Sequence, residues 1–548
     1  AGAAAGAVSV LYLLGRALLY SRWAAAVVAA LLGGCYTFWS QSVRVEVYSL
    51  HVLLLLTALL GAVRYRSSGA TRDLLVAALG GSLGLAHHLS VALLAPSVLL
   101  LIGRRWWESP ARGRQLAGVL GVVAIGPLSY GLLVLWEQAK PLQCWGAPAS
   151  LSLLLVHASA KIYSAQLLKV PDLPRILVWL REGSSFFLDN FPLVLGLAPV
   201  LGITALWKRD RLALAAVLLG AVASALYNLC YQLLDPAPYY LGIWALGFLL
   251  AGAGLEKAAA LLPRTREHRL APVLLVCCVL APVARNWTDC DLSRAVWVRE
   301  FACQKLESAA PNGVVITQGD DDTHSMWYVH DLLRVRPDVV HLDRNMLRGT
   351  WLLSHLEVSQ WYIQRLRRQG VAAPEEPQAD AARRRYLGHD GYLIELLEGP
   401  LAGRPIHLTF LSTPVGDEIP LLNWSRSRFA PIPVGLLVRL YPHERSVDLR
   451  EVVRESSGLW SRFTLPELAE TRTDQEMSPR YTQEHYTSML LNLGGLYERL
   501  PDPEAAAALY QRVLEWRPDA AEVKRALDAV RGARRTMRSP EARRGAAS

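Results

Sequence analysis

Up to about residue 283 the chain alternates apolar runs of roughly 16–22 residues with short arginine-rich breaks, and beyond that point no apolar run exceeds a few residues. A helix rises about 1.5 Å per residue, so such runs match a hydrocarbon core of about 30 Å. A chain patterned this way folds as a polytopic α-helical membrane protein with a non-membrane C-terminal half. Its composition, 52% hydrophobic and 19% charged, averages two unlike halves.

About ten membrane helices are predicted, near residues 4–20, 23–39, 46–63, 73–87, 88–103, 116–136, 191–207, 211–230, 239–257 and 268–284. The formal charge of +10 is not a nucleic-acid signature. Its arginines cluster in the breaks, at Arg64, Arg66 and Arg72, at Arg104, Arg105, Arg112 and Arg114, at Lys208, Arg209 and Arg211, and at Arg264, Arg266 and Arg269. That is the positive-inside pattern, and no nucleic-acid motif accompanies it. With these breaks in the cytosol, alternation puts the joint at 40–46, the turn at 87–90, the loop 137–190, the segment 231–238 and everything after 284 in the lumen. Two N-glycosylation sequons, at Asn286 and Asn423, fall on that side. Residue 1 also comes out lumenal with no signal peptide before it, so the expectation is that one more membrane helix and a lumenal loop lie upstream.

Polar groups at membrane depth are costly and mark pockets or relays. The alternation gathers several at lumenal helix ends: Trp39, Gln41, Arg44, Glu46, Tyr48 and His51 at the first joint, His87 and His88 at the second, and Tyr227, Asn228, Tyr231, Asp235, Tyr239 and Tyr240 at a later pair. An aromatic belt accounts for the tyrosines taken singly, and a packing pair for the histidines. Carboxylate, imidazole and phenol from several helices at one rim build a polar pocket. In the long loop, Leu151–Val156 reads as an amphipathic helix in the interface, followed by His157, Lys161 and Tyr163, groups suited to a lipid phosphate.

The expected domains are the membrane domain 1–284, an α/β domain 285–445, a helical region 446–533 resembling one tetratricopeptide pair, and a disordered tail 534–548. Within the α/β domain, 314–316, a turn at Gly319, a helix and the run to Asp343 read as a parallel strand–helix–strand unit. Asp320, Asp321 and Asp322 at that helix start are suited either to capping or to a divalent cation. No glycine-rich phosphate loop or nucleophile elbow is present in the sequence. None of the seven cysteines has metal-ligand spacing, and Cys290 and Cys303 either pair in an oxidising lumen or stay reduced.

The order FWSQSVRVEVYSLH, GLAHHLS, WGAPASL followed by VHASAKIYS, QGDDDTHSMWYVHDLLRVRPDV and a tetratricopeptide-like end resembles a transmembrane O-mannosyltransferase family. Its vertebrate enzymes modify IPT/TIG domains of plexins and hepatocyte-growth-factor-type receptors, and bacterial relatives of unknown function share the membrane core. The resemblance spans nearly the whole chain. It implies a GT-C glycosyltransferase of the endoplasmic reticulum membrane, with its C-terminal half lumenal. Dolichyl phosphate mannose is then the lipid-linked donor, Ser/Thr hydroxyls of IPT/TIG domains are the acceptors, and no cofactor or metal is needed. It also implies a donor and substrate pocket walled by Arg44, Glu46, Tyr48, His87, His88, Trp145, His157, Lys161, Tyr163 and Asp235. The family's presumed catalytic base lies on an acidic first lumenal loop, which would precede residue 1, so the chain by itself is expected to be inactive. Where relatives often carry an acid after Trp-Gly, this chain has Ala147.

Two other classes compete. A non-catalytic membrane scaffold or chaperone would use the C-terminal helices to hold lumenal clients. A transporter would show broken helices and internal repeats around a midplane site, and the sequence suggests neither.

Overall fold

The computed structural model describes residues 1–139, 148, 150–159, 169–190, 195–231, 236–261, 263–293, 295–347, 356–374, 390–410, 420–466, 479–500 and 502–538. It forms two compact units, one of residues 1–139 and 148–292, the other of 140–147 and 293–548.

The first unit is all helical: α1 (Gly2–Leu18), α2 (Arg22–Gly34), α3 (Tyr36–Ser42), α4 (Tyr48–Ser68), α5 (Thr71–His87), a 3-10 turn Leu89–Leu94 leading into α6 (Ala95–Trp107), α7 (Arg112–Val123), α8 (Ile125–Gln138), α9 (Leu151–Ala158), α10 (Leu173–Asn190), α11 (Ala198–Arg209), α12 (Arg211–Cys230), a 3-10 turn Ala237–Tyr240 leading into α13 (Leu241–Ala259), and α14 (Arg264–Cys290). Helices stand in all ten predicted places, but among the described residues only six spans are long and apolar enough to cross a membrane. These are Tyr48–Ser68, Leu89–Trp107, Arg112–Gln138, Arg211–Cys230, Ala237–Ala259 and Ala271–Cys290. The others fall short for visible reasons: α5 has 17 residues and opens on Arg72 and Asp73, and α11 has 12. The pair α2–α3 bends by 61° at Cys35, so the expectation of unbroken helices fails at this position.

Small residues let the helices meet closely. A Cβ at Gly80 on α5 would lie 2.6 Å from Ala58 N on α4, which leaves room for glycine alone at that crossing. At its far end α4 stops at Gly69, whose φ of +65° and N–H bond to Tyr65 O close the helix.

Helix ends sort onto two faces. On one, Arg66 Nη1 at the end of α4 donates to Asp210 Oδ1 at 2.8 Å, and Asp210 also caps α12 through Ala213 N. On the same face Arg209 pairs with Glu256 of α13 at 2.9 Å and donates to Leu18 O of α1. Two of the predicted arginine clusters therefore meet here as partly buried ion pairs. The opposite face collects the starts of α4 and α13 and the ends of α5 and α12.

The second unit holds a five-stranded sheet, β1 (Val314–Thr317), β2 (Val340–Asp343), β3 (Ile406–Leu408), β4 (Phe429–Val434) and β5 (Leu437–Pro442), in the order β2-β1-β3-β5-β4. β1 pairs in parallel with β2 and β3, as the strand–helix–strand pattern predicts for the first pair, while β5 is antiparallel to both β3 and β4. Gly319, at φ +87°, turns the chain from β1 into the helix Asp320–Trp327. Asp322 of that helix is buried against Lys305 of the helix Trp297–Glu307 and accepts from Thr409 Oγ1 at 2.7 Å. Burial alone would raise Asp322, but the Lys305 ammonium outweighs it and holds the carboxyl below its usual range.

The C-terminal helices do not stand apart from the sheet. Phe301, Ile432, Val434 and Val438 share one core with Val452, Trp460, Tyr486 and Leu490, and Tyr486 Oη donates to Gln304 Oε1 at 2.6 Å. Helices Pro479–Arg499, Pro503–Trp516 and Ala521–Arg538 follow one another, and the last extends into the segment read as tail, whose residues 539–548 lie outside those described.

Candidate functional site

The face opposite the ion pairs carries a compact aromatic and imidazole cluster. Tyr48 and His51 come from the first turn of α4, His88 and Ser90 from the break after α5, Tyr227 and Asn228 from the end of α12, and Tyr239 from the turn before α13. Each lies where a helix begins or ends, so its side chain needs no room within the apolar helix packing. The ring of Tyr239 touches most of the others, with centroids 5.6 Å from Tyr48, 5.7 Å from His88, 5.7 Å from Tyr231 and 6.3 Å from Tyr227. Ser90 Oγ lies 2.8 Å from His88 Nδ1 and 3.4 Å from His51 Nε2, joining the two imidazoles. Apart from Tyr231, these residues line a cavity of about 20 Å³.

Buried polar atoms facing this region lack protein partners: His51 Nδ1 and Asn228 Nδ2, with Ser49 Oγ and Gln41 Oε1 close by in sequence. A buried polar atom left unsatisfied costs about 1–3 kcal/mol, and native structures keep few of them. Phenols, imidazoles and an amide converging on one space supply the donors, acceptors and flat apolar faces that bind a polyhydroxylated group.

The cluster contains Tyr48 and His88 of the predicted pocket and His51, Tyr227, Asn228 and Tyr239 of the predicted rim. His87 stands next to it, with Nε2 2.9 Å from Val47 O, and ties the end of α5 to the start of α4. Arg44 and Glu46 sit on the joint between α3 and α4, Arg44 half-buried and Glu46 exposed, and neither lines the cavity. His157 is half-buried in α9, a helix that leaves Leu151 and Leu155 exposed. Trp145, Lys161, Tyr163 and Asp235 lie outside the described residues. Tyr240 turns away from Tyr239 and packs on Trp244 and Phe186 at 6.0 and 5.4 Å.

The sequon at Asn286 lies inside a helix rather than past its predicted end. The helix predicted to end at 284 runs on to Cys290, and Asn286 is buried in it with Nδ2 donating to Gly34 O at 3.0 Å. Asn423 is exposed on the helix Pro420–Arg428. Of the three aspartates, Asp322 is an internal ion-pair partner, and among the described residues no group of three or more histidine, cysteine or acidic side chains is placed to hold a metal. Cys303 carries a free thiol, so it does not pair with Cys290 here.

Within the helical unit the sequence reading missed α10, inside the segment read as loop. Asn190 at its end accepts from Thr37 N at 2.8 Å and from Cys35 Sγ at 3.1 Å, docking α10 on the bend between α2 and α3. The spacing of Arg175, Trp179, Glu182 and Phe186, four, three and four residues apart, marks one helical face and was the available signal.

Comparison with known families adds two matches. Residues 298–386 match the TMEM260-associated domain 2, and residues 13–110 match the N-terminal domain of the protein O-mannosyl-transferase TMEM260. A search of curated proteins finds no match. The N-terminal match covers Tyr48, His51, His88 and Ser90 of the cluster and lies in the helical unit, while the other lies in the sheet-bearing unit. The two matches, one in each unit, carry the name of one family and support a TMEM260-like O-mannosyltransferase.

Proposed function

We propose that the protein transfers mannose from dolichyl phosphate mannose to serine or threonine hydroxyls of IPT/TIG domains, such as those of plexins and hepatocyte-growth-factor-type receptors, on the lumenal side of the endoplasmic reticulum membrane. The carrying observation is that the transferase-domain match encloses half of an aromatic and imidazole cluster at one end of the membrane helices. A lipid-linked donor suits that position, since its sugar lies at the end of the helices and its chain among them. An apolar cavity of about 600 Å³ supports this: it is bounded by Val91, Ala92 and Leu94 of the same turn that gives Ser90 to the cluster, and by Trp106 at its other end. The fold is then of the GT-C type, without a nucleotide-sugar site.

The polar space is about that of one water, so a sugar enters only as the rings part. Tyr239 is the ring that would move, because it touches Tyr48, His88, Tyr227 and Tyr231. His51, His88 and Asn228 would then hydrogen-bond sugar hydroxyls, and the phenol rings would cover the sugar's apolar face. Transfer of labelled mannose from dolichyl phosphate mannose to an isolated IPT domain, by the protein expressed from its complete reading frame, tests this reading. Absence of transfer with retained acceptor binding would favour the scaffold instead.

A further inference from the structure

We infer that the seam between α10 and the start of α13 is a binding site for a phosphate-bearing lipid head group. Four side chains on the seam hold five buried polar atoms without protein hydrogen-bond partners: Arg175 Nε and Nη2, Trp179 Nε1, Tyr240 Oη and Trp244 Nε1. A fifth side chain, Glu182, adds an Oε2 that makes no hydrogen bond and meets Arg175 only as a long ion pair. Tyr240 and Trp244 are 4% and 7% exposed, so neither reaches water by a small movement.

The groups are neighbours. Arg175 Nη1 approaches Glu182 Oε2 only to 3.7 Å, beyond hydrogen-bond length, and a Cβ on Gly183 would lie 3.7 Å from Tyr240 Oη. Phe186 meets Tyr240, and Phe187 meets Trp244, at 5.4 and 6.1 Å, which seals the apolar side. The segment leading into α10 is held through Lys169 N to Cys230 O at 3.1 Å, and its far end through Asn190 to the α2–α3 bend. This is a held surface rather than a loose loop.

Charge type selects the ligand. Arg175 and the two indoles are pure donors and Tyr240 can donate, so the seam presents a cation and N–H and O–H groups to whatever binds. The complement is an anion with several acceptor oxygens, and a guanidinium matches a phosphate geometrically. Glu182 is the one acceptor, suited to a hydroxyl beside that phosphate. A glycosyl phosphate on a lipid carries both. Consecutive residues join the two places, since Tyr239 packs in the His51–His88 cluster and Tyr240 in this seam. The inference rests on the proposed function for the sugar, but not for the phosphate.

Direct binding measurements on the purified full chain in lipid nanodiscs test it, with dolichyl phosphate mannose, an anionic phospholipid and inorganic phosphate as separate probes. Arg175→Met keeps the side chain's bulk and should weaken binding of the lipid-linked donor roughly tenfold or more, the loss expected for a charge-assisted hydrogen bond. Tyr240→Phe removes only the hydroxyl and should weaken it a few-fold, and it covers the case in which Arg175→Met does not fold. If the anionic phospholipid binds as tightly and with the same dependence on Arg175, the phosphate site stands and its occupant is bulk lipid. If inorganic phosphate alone binds, or if both variants fold and bind the donor as wild type does, the inference is overturned. Because binding rather than transfer is read, a protein that binds donor through Arg175 but moves no mannose would sink the enzymatic reading and leave this one intact.

Discussion

The imidazoles of His51 on α4 and His88 beyond α5 stand 4.9 Å apart, centre to centre, with the hydroxyl of Ser90 between them. They lie 37 positions apart in the sequence, and each alone has an ordinary packing explanation. What separates them from packing is the company they keep: His51 Nδ1 and Asn228 Nδ2 are buried without protein partners, and Tyr239 closes on His88 from a third helix end.

Removing the bridge should uncouple the rings without disturbing the helices. Ser90→Ala is expected to lower mannose transfer several-fold, and His88→Ala roughly tenfold or more, while both proteins keep wild-type abundance and thermal stability. Initial rates at saturating and limiting donor, compared with melting curves, check this. Matched losses of activity and stability would return the histidines to a packing role.

Lys305 and Asp322 form a pair inside the second unit, and Lys305 Nζ also lies 3.6 Å from the Phe301 ring centre. Truncating one partner strands a buried charge, so Lys305→Ala should cost about 3–5 kcal/mol. Replacing both, as Lys305→Met with Asp322→Leu, should recover most of that loss. Denaturant titration of the three proteins measures it. A single substitution costing under about 1 kcal/mol would contradict the burial assigned to the pair.

Stability of the second unit should rise between about pH 4 and 6.5. Burial lowers His341, His407 and His485, His407 to about 3 and His485 to about 4, with Arg365, Arg439 and Lys305 adding to it in turn. Over this window the unfolded chain binds protons at these three positions that the folded chain refuses, so stability is lost as pH falls. Asp343 opposes them: burial pushes it up to about 7, so its stabilisation is lost as pH rises through that value. Three histidines outweigh one aspartate. Melting temperature against pH gives the sign directly, and a flat or falling profile would contradict it.

With the second unit in the lumen, Asn423 should carry a glycan and Asn286 should not, since attaching a sugar to Asn286 would break its bond to Gly34 and open a helix contact. Asn423→Gln should abolish the glycosidase-sensitive mobility shift, and Asn286→Gln should leave it in place. A shift lost only with Asn286→Gln would mean that α14 ends where its apolar run does.

Much of this was legible because apolar runs and arginine breaks report helix ends directly, and helix ends are where the cluster forms. The rest hid behind tertiary compensation. The apolar run of α14 ends before Arg285, yet the helix continues because Asn286 finds Gly34 O. α10 carries Pro174, Arg175, Arg181 and Glu182, so it read as loop until its anchors at Cys35, Thr37 and Cys230 were seen. β4, with Pro431 and Pro433, reads poorly as a strand, but it is an edge strand, where a missing N–H is tolerated. The partnership of Ser90 with two histidines leaves no mark in local spacing.

In the proposed function, the cluster around Tyr239 handles the sugar of a lipid-linked mannose donor. It is tested by transfer of labelled mannose from dolichyl phosphate mannose to an isolated IPT domain, using protein purified from its complete reading frame, wild type beside Tyr239→Ala, with donor affinity measured on the same samples. Transfer by wild type is expected, with a loss of roughly tenfold or more in the variant and folding unchanged. Undiminished transfer by a folded Tyr239→Ala protein, or none by wild type despite bound donor and acceptor, would contradict it.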